Sequence, residues 1–178
     1  MIVDDTPLLV RNVKNILGDR YTVFYATSGK QALHVIFEKE PDLVLLDYKM
    51  PEMDGKQVFE IMRQDEKMKD IPVIFLTSAS DEKTILSILA TKPAGYILKP
   101  ASQADLLDKI STCLEEAEKE KKRRLILFFL LYIYYRLSNY ASTASKKLTV
   151  TPQSAPANMQ NFSQRALCHN KQTYHVLL

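Results

Sequence analysis

The chain has 178 residues, which is enough for one domain of ordinary size and an additional segment. Its net charge of +3 is unevenly distributed: residues 1–118 contain 14 Lys/Arg and 20 Asp/Glu, whereas residues 119–178 contain 10 Lys/Arg and one acid. Because the first part is acidic, we expect no direct nucleic-acid binding, and only the second part has the charge that attracts phosphates or anionic lipid.

The two cysteines, Cys113 and Cys168, lie far apart in the sequence, and His169 is the only other residue of a metal-binding type next to either of them. Neither their number nor their spacing indicates a disulfide framework or a zinc site. No signal peptide opens the chain, so the cytoplasm is the expected compartment.

Short apolar runs alternate with helical patterns over residues 1–118. Met1–Val3 has the character of a strand end but is shorter than the usual five or six residues, so either the strand is stunted or the sequence lacks its beginning. Further strands are predicted at Tyr21–Ala26, Leu43–Asp47, Ile71–Thr77 and Gly95–Lys99, and helices at Thr6–Leu17, Gly29–Glu38, Lys56–Arg63, Lys83–Ala90 and Ser102–Ala117, with Ser28, Asp81 and Ser102 as N-caps. Five such β/α units predict an α/β fold with a doubly wound parallel five-stranded sheet and helices on both faces.

The strand that ends at Asp47 is the most informative stretch of the sequence. Leu43–Leu46 are four consecutive apolar residues, a pattern typical of a strand that is covered on both faces. Pro51, Asp54 and Gly55 then break the strand and form a loop. The carboxylate of Asp47 is therefore predicted at the carboxyl end of a central strand, where open α/β sheets bind their ligands.

Four of the five predicted strands end on a chemically useful side chain, and these ends meet at one edge of a parallel sheet. They are the pair Asp4 and Asp5, Asp47, Thr77 and Lys99. Clustered carboxylates repel one another unless a cation is present, and such oxygen ligands suit Mg²⁺. An amine and a hydroxyl beside them would bind a phosphoryl group, for which a carboxylate can be the covalent acceptor. Each residue also has an ordinary structural explanation, as a helix cap, a polar strand end or a solvated cation.

These residues resemble the receiver domain of two-component response regulators. The resemblance is carried by the acid pair, by the strand ending at Asp47 with Met-Pro-Glu-Met-Asp-Gly after it, by Thr77-Ser-Ala and by Gly-Tyr-Ile-Leu-Lys-Pro. The intervals are also similar, with 30 residues from Asp47 to Thr77 and 22 from Thr77 to Lys99. The resemblance covers residues 1–118 and implies a flavodoxin-like sheet with the strand order 2-1-3-4-5.

The resemblance implies that Asp47 is the phosphoacceptor. Asp4 and Asp5 would hold Mg²⁺, with Asp47 as a third protein ligand and the backbone carbonyl of Lys49 as a fourth. The donor would be a histidine kinase or a phosphotransfer protein. Enzymatic activity is not expected beyond self-phosphorylation and slow autodephosphorylation.

The family also implies a switch. Thr77 would contact the phosphoryl group after transfer, and Lys99 would pair with that group and, before transfer, with Asp47. Tyr96 matches the switch aromatic, and Pro100 matches the proline that fixes the following turn, usually through a cis peptide bond. The expected output and homodimerisation face consists of the fourth helix, the fifth strand and the fifth helix, at Asp81–Ala90, Gly95–Lys99 and Ser102–Ala117.

Two other functions remain open at the level of sequence. Phosphatases of the haloacid dehalogenase type also use an aspartate nucleophile with Mg²⁺, but they resemble an Asp-x-Asp pattern, and here Lys49 stands two residues after Asp47. Alternatively, the short first strand leaves a receiver-like interaction module that is not competent for phosphorylation.

The rest of the chain is predicted to contain a charged helical extension with a short hydrophobic segment at 119–140 and a disordered tail at 141–178. Leu125–Tyr135 is an uninterrupted run of apolar and aromatic residues, too short to cross a bilayer alone. One interpretation is membrane contact over residues 121–135, with Lys121–Arg124 on anionic headgroups. The alternatives are a helix packed on the receiver or on a partner, or sequence with no selected structure.

Overall fold

The computed structural model describes residues 1–78 and 82–143, and describes side chains as far as Ser138. The predicted cap at Asp81, the cysteine at 168 and residues 144–178 of the predicted disordered tail lie outside this range. The first three residues of that tail, 141–143, belong instead to the last helix, so the predicted start of the tail at 141 is wrong. Five helices surround the sheet: α1 (Pro7–Leu17), α2 (Gly29–Lys39), α3 (Gly55–Gln64), α4 (Glu82–Ala90) and α5 (Gln103–Thr143).

All five strands are parallel and form one sheet in the order β2-β1-β3-β4-β5. They are β1 (Ile2–Val3), β2 (Tyr25–Ala26), β3 (Val44–Asp47), β4 (Val73–Thr77) and β5 (Gly95–Leu98). The predicted fold class and the strand order implied by the resemblance are both confirmed.

Two hydrophobic layers cover the sheet, because alternate residues of each strand point to opposite faces. Val44 and Leu46 of β3 join a layer with apolar residues of α2, α3 and α4, and Leu45 joins a second layer with residues of α1 and α5. Each residue of β3 is buried, as the uninterrupted apolar run predicts.

The first strand is short but central. β1 pairs with β2 on one side and with β3 on the other, and Ile2 and Val3 are fully buried. The amino group of Met1 donates a hydrogen bond to the carbonyl oxygen of Leu43 at 2.7 Å. Burial lowers the pKa of this amino group to about 6, and the charge of Asp42 opposes the shift.

Some predicted boundaries differ from those in the structure. The strand predicted at Tyr21–Ala26 is reduced to two residues, because β1 offers a ladder of only two residues to pair with. A short 3₁₀ helix, Gly18–Arg20, follows α1. The helix predicted from Lys56 begins at Gly55, where Asp54 and Gln57 form a capping box that the sequence analysis missed.

The predicted N-caps that fall within the described residues are confirmed. The Ser28 hydroxyl accepts a hydrogen bond from the backbone N–H of Gln31, and the Ser102 hydroxyl accepts one from Asp105. Both bonds satisfy amide groups that have no partner within the first turn of their helix.

The last helix, α5, belongs to two units of the chain. Residues Met1–Ile126 form one compact unit, and the described part of α5 from Leu127 onward belongs to the second. Within the first unit, Arg124 of α5 forms an ion pair of 2.8 Å with Asp70, which lies shortly before β4. Among the helices that the structure describes, none has both the length and the apolar character needed to span a membrane.

Gly55 is the position where the backbone approach is tightest. A Cβ atom there would overlap the carbonyl oxygen of Asp47, whereas a Cβ at Gly95 would meet only the flexible end of the Lys109 side chain. We therefore expect Gly55→Ala to lower the free energy of unfolding by about 1–3 kcal/mol, although alanine favours helices. Urea unfolding followed by circular dichroism measures this difference.

Gly95→Ala is the matched control, with little expected change. Equal stability of the two variants would show that the N-terminus of α3 can move away from β3 without cost.

Candidate functional site

The predicted functional side chains lie at one edge of the sheet. Asp4 directly follows β1, Asp47 is the last residue of β3, Thr77 is the last residue of β4, and Lys99 directly follows β5. The strands are parallel, so their carboxyl ends share an edge, and Asp47 is in register with a residue next to Thr77. The topology therefore brings together residues that are up to 95 positions apart.

Three carboxylates form the centre of this edge. One oxygen from each of Asp4, Asp5 and Asp47 lies within 4.8 Å of the others. Asp4 is fully buried, Asp47 is 6% exposed, and Asp5 is exposed. Asp4 also accepts a hydrogen bond of 2.9 Å from the backbone N–H of Thr6, which fixes its carboxylate at the start of α1.

The ammonium group of Lys99 lies between the two buried carboxylates. Its Nζ atom is 2.6 Å from Oδ2 of Asp4 and 2.8 Å from Oδ1 of Asp47. Burial is the largest influence on the pKa of Lys99 and lowers it. The hydrogen bonds and charges of Asp4 and Asp47 together outweigh burial, so the pKa is raised.

The pKa of Asp47 is also raised. Burial is the main cause, and the neighbouring charge of Asp4 acts in the same direction. The hydrogen bond and charge of Lys99 and a hydrogen bond from the backbone of Lys49 oppose the shift. The phosphoacceptor candidate is therefore a partly desolvated carboxyl group whose ionised form is favoured by the neighbouring lysine.

The residues of the implied switch lie beside this cluster. Thr77 is 1% exposed, and its carbonyl oxygen accepts a hydrogen bond from the backbone N–H of Lys99 at 2.8 Å. Tyr96 is half-buried, is in register with Phe75 of β4, and packs against the apolar layer formed with α2, α3 and α4. The peptide bond between Lys99 and Pro100 is cis, as the resemblance implies.

One contact of the site was missed by the sequence analysis. The hydroxyl group of Tyr48, directly after Asp47, hydrogen-bonds to the hydroxyl of Ser87 in α4 at 3.2 Å. The Tyr48 ring packs edge-on against Phe75, with ring centroids 5.7 Å apart. The only signal in the sequence was an aromatic residue directly after the acid, since nothing in the sequence relates positions 48 and 87.

Lys99 neutralises two buried acids, so its removal should be costly. We expect Lys99→Met to lower the free energy of unfolding by about 3–5 kcal/mol at pH 7 without a divalent cation, since Asp4 and Asp47 are left uncompensated. Lys99 lowers the pKa of Asp47, so the variant should take up a proton at that carboxyl at higher pH than the parent does. The loss should therefore shrink as the pH falls towards 5, and urea unfolding at both pH values measures it.

The control is Lys30→Met, which removes an ion pair with Glu52 whose side chains are 74% and 76% exposed. Its expected cost is about 0–1 kcal/mol. A Lys99→Met loss as small as this control, or one that grows towards acid pH, would contradict the charge arrangement described above.

Comparison with known proteins agrees with this geometry. Residues 1–111 match the family described as response regulator receiver domain. Chemotaxis protein CheY-3 of Vibrio cholerae is 32% identical over 117 residues, which are 65% of this chain and 90% of that protein. A receiver domain protein of Methanospirillum hungatei has a similar solved structure, with a TM-score of 0.62 and 31% identity, covering 67% of this chain and 94% of that one.

Longer proteins contain a similar part. The chain matches hybrid signal transduction histidine kinase D of Dictyostelium discoideum at 30% identity over 110 residues, which are 62% of this chain but 7% of that protein. The matched region, the sheet order and the residues at its edge lead to one conclusion: this chain belongs to the family of response regulator receiver domains.

Proposed function

We propose that this protein is a phosphoacceptor switch of a two-component system. Asp47 takes a phosphoryl group from a histidine kinase or a phosphotransfer protein, and the modification alters the face formed by α4, β5 and the part of α5 up to Ala117. The observation that supports this best is the set of three carboxylates within 4.8 Å of one another, with Lys99 bonded to two of them.

The donor set at this edge fits Mg²⁺. Three carboxylates gather at one point, two of them buried, and hard oxygen ligands are those that Mg²⁺ prefers. Asp4, Asp5 and Asp47 would hold the ion, together with the backbone carbonyl of Lys49 implied by the family resemblance. When bound, the ion supplies positive charge that neutralises the phosphoryl oxygens.

Three residues of this chain, Asp47, Lys99 and Thr77, take part in the transfer of the phosphoryl group. A carboxylate oxygen of Asp47 attacks the phosphorus of the donor's phosphohistidine, the phosphorus–nitrogen bond breaks, and the imidazole nitrogen keeps the electron pair. Lys99 holds the Asp47 carboxylate ionised and in place before transfer, and bonds to a phosphoryl oxygen afterwards. The Thr77 hydroxyl group binds another of these oxygens.

The structural change that follows phosphorylation passes from the site to the surface through Thr77 at the end of β4. Phosphorylation adds about −1.5 to −2 charges and three strong acceptors, so Thr77 is drawn towards the new group. Tyr96, on the neighbouring strand, moves into the space that Thr77 leaves. Leu86, Leu89 and Leu98 on this face are 57%, 48% and 44% exposed, which supports its use for homodimerisation or for binding a downstream protein.

Enzymatic turnover is not part of this proposal. The position two residues after Asp47, where phosphatases of the haloacid dehalogenase type place a second acid, holds Lys49. With no acid at this position to assist a leaving group or a water, only slow loss of the phosphoryl group is expected.

Acetyl phosphate with Mg²⁺ tests the proposal directly. We expect one phosphoryl group per chain, seen by intact-protein mass spectrometry, because Asp47 is the single proposed acceptor, a buried carboxylate at the end of β3 in contact with Lys99. Asp47→Asn should abolish labelling, and Asp5→Asn should slow it about 10–100-fold at limiting Mg²⁺. The control, Asp42→Asn, changes an exposed acid near the other end of β3 and should label normally.

Other outcomes of the acetyl phosphate experiment would contradict Asp47 as the acceptor or support one of the alternative functions. Labelling of the Asp47→Asn variant would exclude Asp47 as acceptor. Rapid release of phosphate would indicate a hydrolase, and absence of any labelling would indicate an interaction module that does not take phosphate.

The path from site to surface can be tested separately by NMR with beryllofluoride and Mg²⁺. In the parent chain we expect amide shift changes at the site and across α4 and β5. In Thr77→Ala they should stay confined to the site, because the hydroxyl that draws in the end of β4 is missing. Thr77→Ser keeps a hydroxyl and should retain the wider changes, so identical spread in all three proteins would exclude this path.

A further inference from the structure

The segment of α5 at residues 125–135 is apolar and largely exposed. Residues 125–135 contain no charged side chain. The six consecutive residues Phe129 to Tyr134 are between 44% and 73% exposed. A contiguous exposed apolar patch of this kind is typical of a surface that binds a protein or a membrane.

The apolar character extends around the whole helix. Successive residues of an α-helix point about 100° apart, so six consecutive exposed apolar and aromatic residues cover its full circumference. A second copy of the chain, or a folded partner, would cover one side and leave the other in water. A helix that is apolar on all sides is suited instead to an apolar medium that surrounds it.

Charges flank this segment on both sides. Residues 119–136 contain six Lys/Arg and one acid, with Lys121–Arg124 before the apolar run and Arg136 after it. The ion pairs Lys122–Glu118 and Arg123–Glu120 span 3.7 and 3.6 Å and are largely exposed, so they hold these cations only weakly, whereas Arg124 is paired with Asp70 at 2.8 Å. Positive charge beside an apolar surface is complementary to the headgroups of anionic lipids.

The length of the segment limits how deeply it can insert. The eleven helical residues 125–135 span about 16 Å at about 1.5 Å per residue, whereas the hydrocarbon core of a bilayer is about 30 Å thick. Tyr132 and Tyr134 are of the type found where hydrocarbon meets headgroups. We propose that residues 121–137 bind the surface of an anionic lipid bilayer and insert within one leaflet without crossing it.

Vesicle binding by the full chain tests this inference independently of phosphorylation. The chain contains no tryptophan, so Tyr134→Trp introduces a single reporter at a position that is 73% exposed. With vesicles of phosphatidylglycerol and phosphatidylcholine we expect co-flotation and a blue shift of the emission. Pure phosphatidylcholine should bind at least tenfold more weakly, because each lysine or arginine near an anionic surface contributes roughly fivefold and several of them flank the segment.

Two variants separate the apolar and the charged contributions. Leu130→Gln combined with Ile133→Gln should reduce partitioning at least tenfold on both kinds of vesicle, whereas Lys121→Gln combined with Lys122→Gln should reduce it on anionic vesicles only. Leu8→Gln is the matched control, since Leu8 is 66% exposed in α1 and should leave binding unchanged.

Two results would overturn the proposal. One is failure to float with anionic vesicles at low salt while the circular dichroism spectrum shows a folded chain. The other is a blue shift that appears without lipid, rises with protein concentration and accompanies oligomers in sedimentation equilibrium, because the segment would then be covered by other copies of the chain.

Discussion

The contact between one ammonium group and two buried carboxylates is the constraint on which the site depends. Asp4 and Asp47 follow different strands and would repel each other at this distance without the cation that β5 supplies. Lys99 therefore links the first, third and fifth strands through charge as well as through the sheet. In the same arrangement Lys99 opposes the effect of burial, which raises the pKa of Asp47, so the contact that links the strands also favours the ionised form of this carboxyl group.

The carboxyl edge of the sheet explains why so short a chain can assemble this site. Four of the five strands deliver polar residues to the edge, two acids after β1 and one residue each at the ends of β3, β4 and β5, and the apolar residues of β1, β3 and β4 are buried in the two layers. At the start of α3, Gly55 lets the backbone approach Asp47 closely, so the loop after the acid is packed against it. The positions of the functional groups are therefore set by the core and by backbone contacts more than by long side chains.

Much of this could be predicted from the sequence, because its signals are local. The uninterrupted run before Asp47 predicted a covered strand, and the polar residues at four strand ends predicted a shared edge, since parallel strands align their ends. The length of β2 could not be predicted, because it depends on how much ladder β1 offers. The hydrogen bond between Tyr48 and Ser87 could not be predicted either, because it depends on how closely α4 packs on the sheet.

The shortness of β1 has a consequence for how the site and the fold are coupled. Only two residues of this strand pair with its neighbours, with further backbone hydrogen bonds from Met1 and Asp4 at its ends, and the acid pair follows immediately after them. A local opening that frees these two residues would carry both acids away from Asp47 while β3, β4 and β5 stay paired. An ion held by the three acids would then also stabilise β1 against this opening. Higher occupancy of the ion would therefore increase the protection of the β1 amides from solvent exchange, and loss of the ion would decrease it.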